Sequence, residues 1–163
     1  MTLLDAIRAL LHERDIVFRE VHHEPTLTSQ DAARVRGEEL KNGGKALLMK
    51  VDSGFAMFVL PANRRVHSAA IRRELAAKKI RFASREELSE LTANEDRAGL
   101  EPGSVPPFGE PILPFPLYLD TAIENNQRIA FNAGSLTDSI TMAINDYLLV
   151  AAPRRIFEFS QPS

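Results

Sequence analysis

The stretch Gly103-Ser104-Val105-Pro106-Pro107-Phe108-Gly109 constrains this chain more than any other segment. Pro106 and Pro107 fix φ and donate no backbone N–H. Gly103 and Gly109 permit backbone angles or close approaches that a Cβ would forbid. The segment should therefore be a stiff loop that presents Phe108 at a set position. Such a loop serves one of two ends: it plugs the chain's own core, or it builds the wall of a pocket.

The chain has 163 residues, which suits a single domain spanning residues 1–163. A folded chain of this length buries roughly 68–70% of the surface that its unfolded form exposes, so no covalent staple is required. It has no cysteine, which excludes disulfides, thiolate nucleophiles and cysteine-based zinc sites. No apolar run approaches membrane-spanning length, and the N-terminus lacks the charged-then-apolar order of a signal peptide. A cytoplasmic, soluble protein with no membrane partner is the expectation. Charge is unevenly spread: residues 34–85 carry thirteen Lys/Arg against four acids, whereas the whole chain has net charge −2. That asymmetry suits a polyanionic partner met by one face, or a solvated basic helix surface.

Apolar periodicity gives the elements. A helix is expected after Thr2, from the spacing of Leu3, Ile7, Leu10 and Leu11, and a strand at Ile16–Val21. Thr28 or Ser29 should cap a helix that Gly37 ends. Ala46–Val51 and Phe55–Leu60 read as a hairpin around Asp52-Ser53-Gly54. A basic-faced helix over Ser68–Lys78, a short strand at Ile80–Ala83 and a capping box at Ser84 follow. Leu117–Ile123 and Arg128–Asn132 read as a second strand pair. Ile140, Met142 and Ile144 alternate as a strand does, Asp146 should cap a helix over Tyr147–Ala152, and Ile156–Phe159 closes the sheet. Hairpins interleaved with short helices predict an α/β fold of the α+β type: a mixed, mostly antiparallel β-sheet with packed helices.

Three places carry candidate chemistry. Lys45 follows Asn42-Gly43-Gly44 at a strand entrance, where a compact cation with three donors suits a phosphate or a developing oxyanion. His23, beside Pro25, suits a pocket lining or a turn. Gly134 and Ser135, after Phe131-Asn132-Ala133, offer a tight turn with a hydroxyl and a backbone N–H at its rim. Ser135 does not stand in a Gly-x-Ser-x-Gly elbow, no His-x-His or His-Glu-x-x-His spacing exists, and Gly43-Gly44-Lys45 does not complete a phosphate loop. No metal and no cofactor is expected.

The order of these motifs is more specific than any one of them. Gly-Gly-Lys-Ala-Leu-Leu-Met-Lys, a hairpin ending in Leu60-Pro61-Ala62, Gly-Ser-Val-Pro-Pro-Phe-Gly, then Asn-Ala-Gly-Ser with Asp146-Tyr147 downstream resembles the YbaK/prolyl-tRNA synthetase-associated editing domain family. The likeness runs from about Val21 to Tyr147. It implies a metal-free hydrolase of mischarged aminoacyl-tRNA, acting on the acceptor end of tRNA for proline, or a related tRNA, that carries alanine, cysteine, serine or threonine. With no synthetase attached it implies editing in trans, with a synthetase as a further partner. Lys45 matches the family's functional lysine. Gly103, Pro107, Phe108 and Gly109 match its pocket loop, Gly134 its second glycine loop, and Asp146 an acidic position before a terminal helix. Many relatives carry histidine just after that second glycine; Ser135, Leu136 and Thr137 stand there in this chain. A tRNA- or synthetase-binding module without catalysis is the alternative, and the missing histidine favours it.

Overall fold

The computed structural model describes residues 1–163. Thr2 and Asp5 form a reciprocal capping box on α1 (Leu3–Glu13), whose Leu3, Ile7 and Leu11 stripe is buried. The spacing of four residues places all three side chains on one face. The strand β1 (Phe18–His22) follows, then α2 (Ser29–Arg36), capped by the Thr28 side chain and ended by Gly37 in the left-handed conformation.

The long hairpin β2 (Gly44–Val51) and β3 (Gly54–Pro61) is the centre of the molecule. Asp52 turns it at φ 55°, and its carboxylate accepts the N–H groups of Lys78 and Lys79 at 2.9 Å each. The short strand β4 (Arg64–Val66), α3 (Ser68–Leu75), β5 (Ile80–Phe82) and α4 (Arg85–Thr92) come next. After the proline loop run β6 (Leu117–Asp120), α5 (Thr121–Glu124), β7 (Arg128–Asn132), β8 (Asp138–Ala143), α6 (Ile144–Ala151), β9 (Arg155–Phe157) and β10 (Ser160–Pro162).

A five-stranded sheet has the order β5-β2-β3-β6-β9, and a three-stranded sheet the order β1-β8-β7. β4 and β10 pair by themselves. Only β3–β6 and β6–β9 are parallel, so the mixed, mostly antiparallel α/β reading holds. β3 is buried on both faces: Met57 and Val59 join the large core under α1 and the proline loop, whereas Ala56, Phe58 and Leu60 face a smaller core with Tyr118 and Phe159. Strand alternation sends successive side chains to these two cores.

Two sequence expectations need correction. Leu117–Ile123 and Arg128–Asn132 do not pair. The first is β6 in the larger sheet and bends into α5, where the Asp120 carboxylate caps Ala122 and also accepts from the Phe159 N–H and the Ser160 hydroxyl. The second pairs with β8 instead. Asp146 does not cap a helix either: α6 begins at Ile144, with Ala143 at its N-cap, and Asp146 lies in the first turn, where its charge complements the helix dipole. No helix is long and apolar enough to cross a membrane.

Candidate functional site

Four segments enclose a cavity of about 490 Å³: the entry and first turns of α2, the start of β2, Gly103 and Val105 of the proline loop, and Asn132 with Leu136 at the β7–β8 turn. That volume lies within the usual range of small-ligand sites. A lone parallel bridge between Gly43 and Ala130 sets β2 against β7 at its floor. A Cβ on Gly43 would come within 2.9 Å of the Ala62 Cβ and 3.2 Å of the Leu40 carbonyl, so only glycine fits that crossing.

Lys45 lines the cavity, half-buried, in register with Leu60. Burial alone lowers its pKa below the ordinary 10.5, and no carboxylate pairs with it. Arg36, at the C-terminal end of α2, lines the same cavity with only 6% of its surface exposed. Desolvation lowers its pKa to about 10, opposed by the charge of Glu38. The Glu38 carboxylate itself is taken up by Arg128 at 3.1 Å and Arg19 at 3.5 Å. The cavity thus holds buried Arg36 and half-buried Lys45, neither in an ion pair, and the exposed Arg85 and Glu101 complete its charged lining.

A buried polar chain positions Arg36. Its Nε–H donates to the Ser139 hydroxyl at 2.9 Å and its Nη2–H to Asn132 Oδ1 at 2.9 Å. Asn132 Nδ2–H in turn donates to the Gly103 carbonyl at 2.7 Å. His23 sits behind this chain, with Nε2 2.8 Å from the Ser139 hydroxyl and Nδ1 2.8 Å from the Glu24 carbonyl. His23 is therefore a supporting residue that does not itself line the cavity.

The proline loop divides. Gly103, at φ +88°, reaches the cavity. Ser104 through Gly109 are buried. Phe108 is 1% exposed and stands edge-on to Phe131 and Tyr147, at centroid distances of 5.4 and 5.5 Å. Such tilted pairs suit the charge distribution of aromatic rings. The Pro107 carbonyl accepts the Tyr147 hydroxyl at 2.6 Å, and a Cβ on Gly109 would meet the Phe115 carbonyl at 2.8 Å. Pro107, Phe108 and Gly109 are core residues here, not cavity wall, because this half of the loop folds down onto α6 and β7.

Gly134 and Ser135 line a second, more open cavity of about 710 Å³, beyond Leu136. The Gly134 N–H donates to the Ser104 carbonyl at 3.0 Å, and Ser135 donates to Asp138 at 2.8 Å. Both groups therefore hold the turn and face no substrate in the first cavity. Asp146 lines neither cavity. Sequence reasoning brought Lys45 and Gly103 to the site, reached Asn132 only as part of the Phe131–Ser135 motif, and missed Arg36 and Ser139. The only signal at Arg36 was its place just before the Gly37 helix stop, within the basic stretch.

Comparison with known proteins gives the family of the chain. Residues 23–149 match the model of the aminoacyl-tRNA editing domain, and the chain belongs to that family. It is 31% identical over 154 residues to the multifunctional Ser/Thr-tRNA deacylase ProXp-y of Escherichia coli K12, covering 91% of this chain and 87% of that protein. It is 33% identical over 106 residues to the proline–tRNA ligase of Shouchella clausii, covering 65% of this chain but 17% of the ligase. A solved structure described as a proposed trans-editing enzyme for prolyl tRNA synthetase superposes with a TM-score of 0.81 at 21% identity, over 99% of this chain and 98% of that one.

Proposed function

We propose that this protein, as one editing domain over residues 1–163, hydrolyses the ester of mischarged aminoacyl-tRNA in trans, with serine and threonine the leading amino acids. The observation that carries this reading is the cavity itself: one buried and one half-buried cation, neither in an ion pair, beside Gly43 in a chain of the editing family. The amino acids follow from the deacylase that the chain matches over 87% of its length. The same coverage supports action in trans, and the ligase match supports a synthetase as partner.

The terminal adenosine of an acceptor strand, with its phosphodiester, brings negative charge to the cavity. Lys45, nearer the surface than Arg36, anchors that phosphate as a point charge. The ester then lies deeper, where its position relative to an attacking water substitutes for a protein nucleophile. Water oxygen bonds to the carbonyl carbon, the carbon–oxygen bond to the ribose breaks, and the ribose oxygen takes the proton. Free amino acid and an uncharged tRNA leave. Glu101, the one carboxylate lining the cavity, complements the α-ammonium group of the substrate. The basic stretch over α3 and β5 offers Arg72, Arg73, Lys78 and Lys79 to the acceptor stem, so binding should weaken steeply with salt.

The test is a panel of tRNAs charged with alanine, cysteine, serine, threonine and proline. Turnover of seryl- or threonyl-tRNA well above spontaneous hydrolysis is the expected result. Saturable tRNA binding without turnover on any of the five would replace this reading with that of a binding module.

A further inference from the structure

Arg36 has an unused donor edge. Nε and Nη2 are accounted for by Ser139 and Asn132, and these bonds explain why the side chain is ordered. They do not explain Nη1, which has no acceptor in the protein. Nη1 is not sealed in the core either, because Arg97 Nε is the single buried side-chain nitrogen or oxygen left without a partner. A Cβ on Gly43 would stand 3.6 Å from Nη1, so the glycine leaves open the space in front of it. An arginine with 6% of its surface exposed, fixed at two guanidinium nitrogens and unpaired by any carboxylate, is costly to bury unless an anion meets it. A neutral subsite would be served by an uncharged donor.

We propose that Arg36 is a catalytic residue that donates from Nη1 to the ester carbonyl oxygen as that oxygen becomes negative in the tetrahedral transition state. This assignment rests on the editing reading. The ester is the terminus of the acceptor strand and reaches deepest, and Arg36 is more deeply buried than Lys45. The negative charge on the oxygen exists only during attack by water, and it returns to a neutral carbonyl when the ribose oxygen leaves with its proton. A donor fixed beforehand by Ser139 and Asn132 needs no reorganisation at that moment. The pairing therefore favours the transition state over the bound ester and acts on kcat.

Arg36→Lys keeps the charge and loses the fork. With seryl- or threonyl-tRNA, kcat should fall about 10²–10³-fold, while KM stays within about threefold. Two adenosine probes separate this role from a structural one. One carries an aminoacyl group at the 3′ position through an amide, planar and neutral. The other carries aminomethylphosphonate as an ester there, tetrahedral and anionic. The variant should bind the amide with wild-type stoichiometry and affinity, and the phosphonate about 10²-fold more weakly. Equal weakening of both probes, or of neither, overturns the assignment, as does a raised KM with unchanged kcat. If Arg36→Lys shows no cooperative melt, the wild type decides the question through its arginine side-chain NMR. The Arg36 Nη1–H signals should shift as the phosphonate saturates the site, and signals that stay in place overturn the proposal. A wild type that turns over none of the five charged tRNAs sinks the editing reading itself. Wild-type turnover with an unaffected Arg36→Lys sinks only Arg36.

Discussion

Two glycine-bounded segments, Gly43-Gly44-Lys45 and Gly103–Gly109, have similar local chemistry and opposite fates. In the first, the missing Cβ of Gly43 leaves room in front of Arg36, that of Gly44 lets the backbone close on Ile129, and Lys45 follows on the cavity lining. In the second, the glycine at 109 lets the backbone press against Phe115, and Phe108 is driven into the core. The first borders the cavity along its length, and the second only through Gly103 and Val105. The difference lies in what each segment finds across from it. β2 starts bridged to β7 with Arg36 and Lys45 on the cavity beside that crossing, whereas the loop meets an aromatic cluster and a tyrosine hydroxyl. Stiffness in a sequence therefore locates a fixed point of the fold without saying which side of it faces solvent.

The largest expected effect breaks the comparison on the loop side. Phe108→Ala should cost about 3–5 kcal/mol of stability, because a fully buried ring is replaced by a cavity. Phe108→Leu should cost markedly less, since most of the volume is retained. In the leucine variant the ranking of the five charged tRNAs should match the wild type. A changed ranking, measured at a temperature where the variant is folded, would return Phe108 to the cavity wall.

On the other side, Lys45→Ala should lower deacylation about 10²–10³-fold, the scale set by loss of one charge-stabilising group. Its melting temperature should stay near or above that of the wild type, because burial penalises the charged form of Lys45. The pH profile has a sign to check. The folded pKa is lowered, so protonated Lys45 opposes folding, and this penalty is relieved as pH rises through the folded value. The active Lys45 cation is lost over the same interval, and so is the Arg36 cation, whose pKa burial lowers to about 10. After subtraction of spontaneous ester hydrolysis, kcat/KM should therefore fall on the alkaline side with a midpoint below 10.5. A profile that stays flat through 10.5 would mean that Lys45 carries no charge-dependent role.

Much of this was legible in the chain. The α1 stripe, the Thr28 and Gly37 boundaries of α2, the β2–β3 hairpin and the Ser84 capping box each follow from local rules that the surroundings do not override. Lys45 was legible because glycines and a strand entrance mark it locally. Arg36 was not, since its burial arises from Ser139 and Asn132, about a hundred residues away in sequence. Nor was the partner of β7: Leu117–Ile123 and Arg128–Asn132 are both apolar runs flanking a polar turn, and only the choice between sheets separates them. Local pattern specifies an element, and packing decides which face of it is used.

The smallest effect sharpens the comparison at the joint between its two halves. Tyr147→Phe removes the hydroxyl that the Pro107 carbonyl accepts and leaves that carbonyl buried without a donor. The expected cost is about 1–3 kcal/mol of stability, the usual penalty for an unpaired buried polar group. Four residues before Pro107, Gly103 is tied independently to Asn132. If the core half of the loop and the cavity half are separately held, the variant should melt earlier and yet keep the wild-type kcat and KM at 25 °C. If the loop moves as one rigid body, the slackened Pro107 shifts Gly103, Asn132 follows, and Arg36 loses its aim. In that case kcat falls together with stability, and the Tyr147 hydroxyl becomes part of the support for the site.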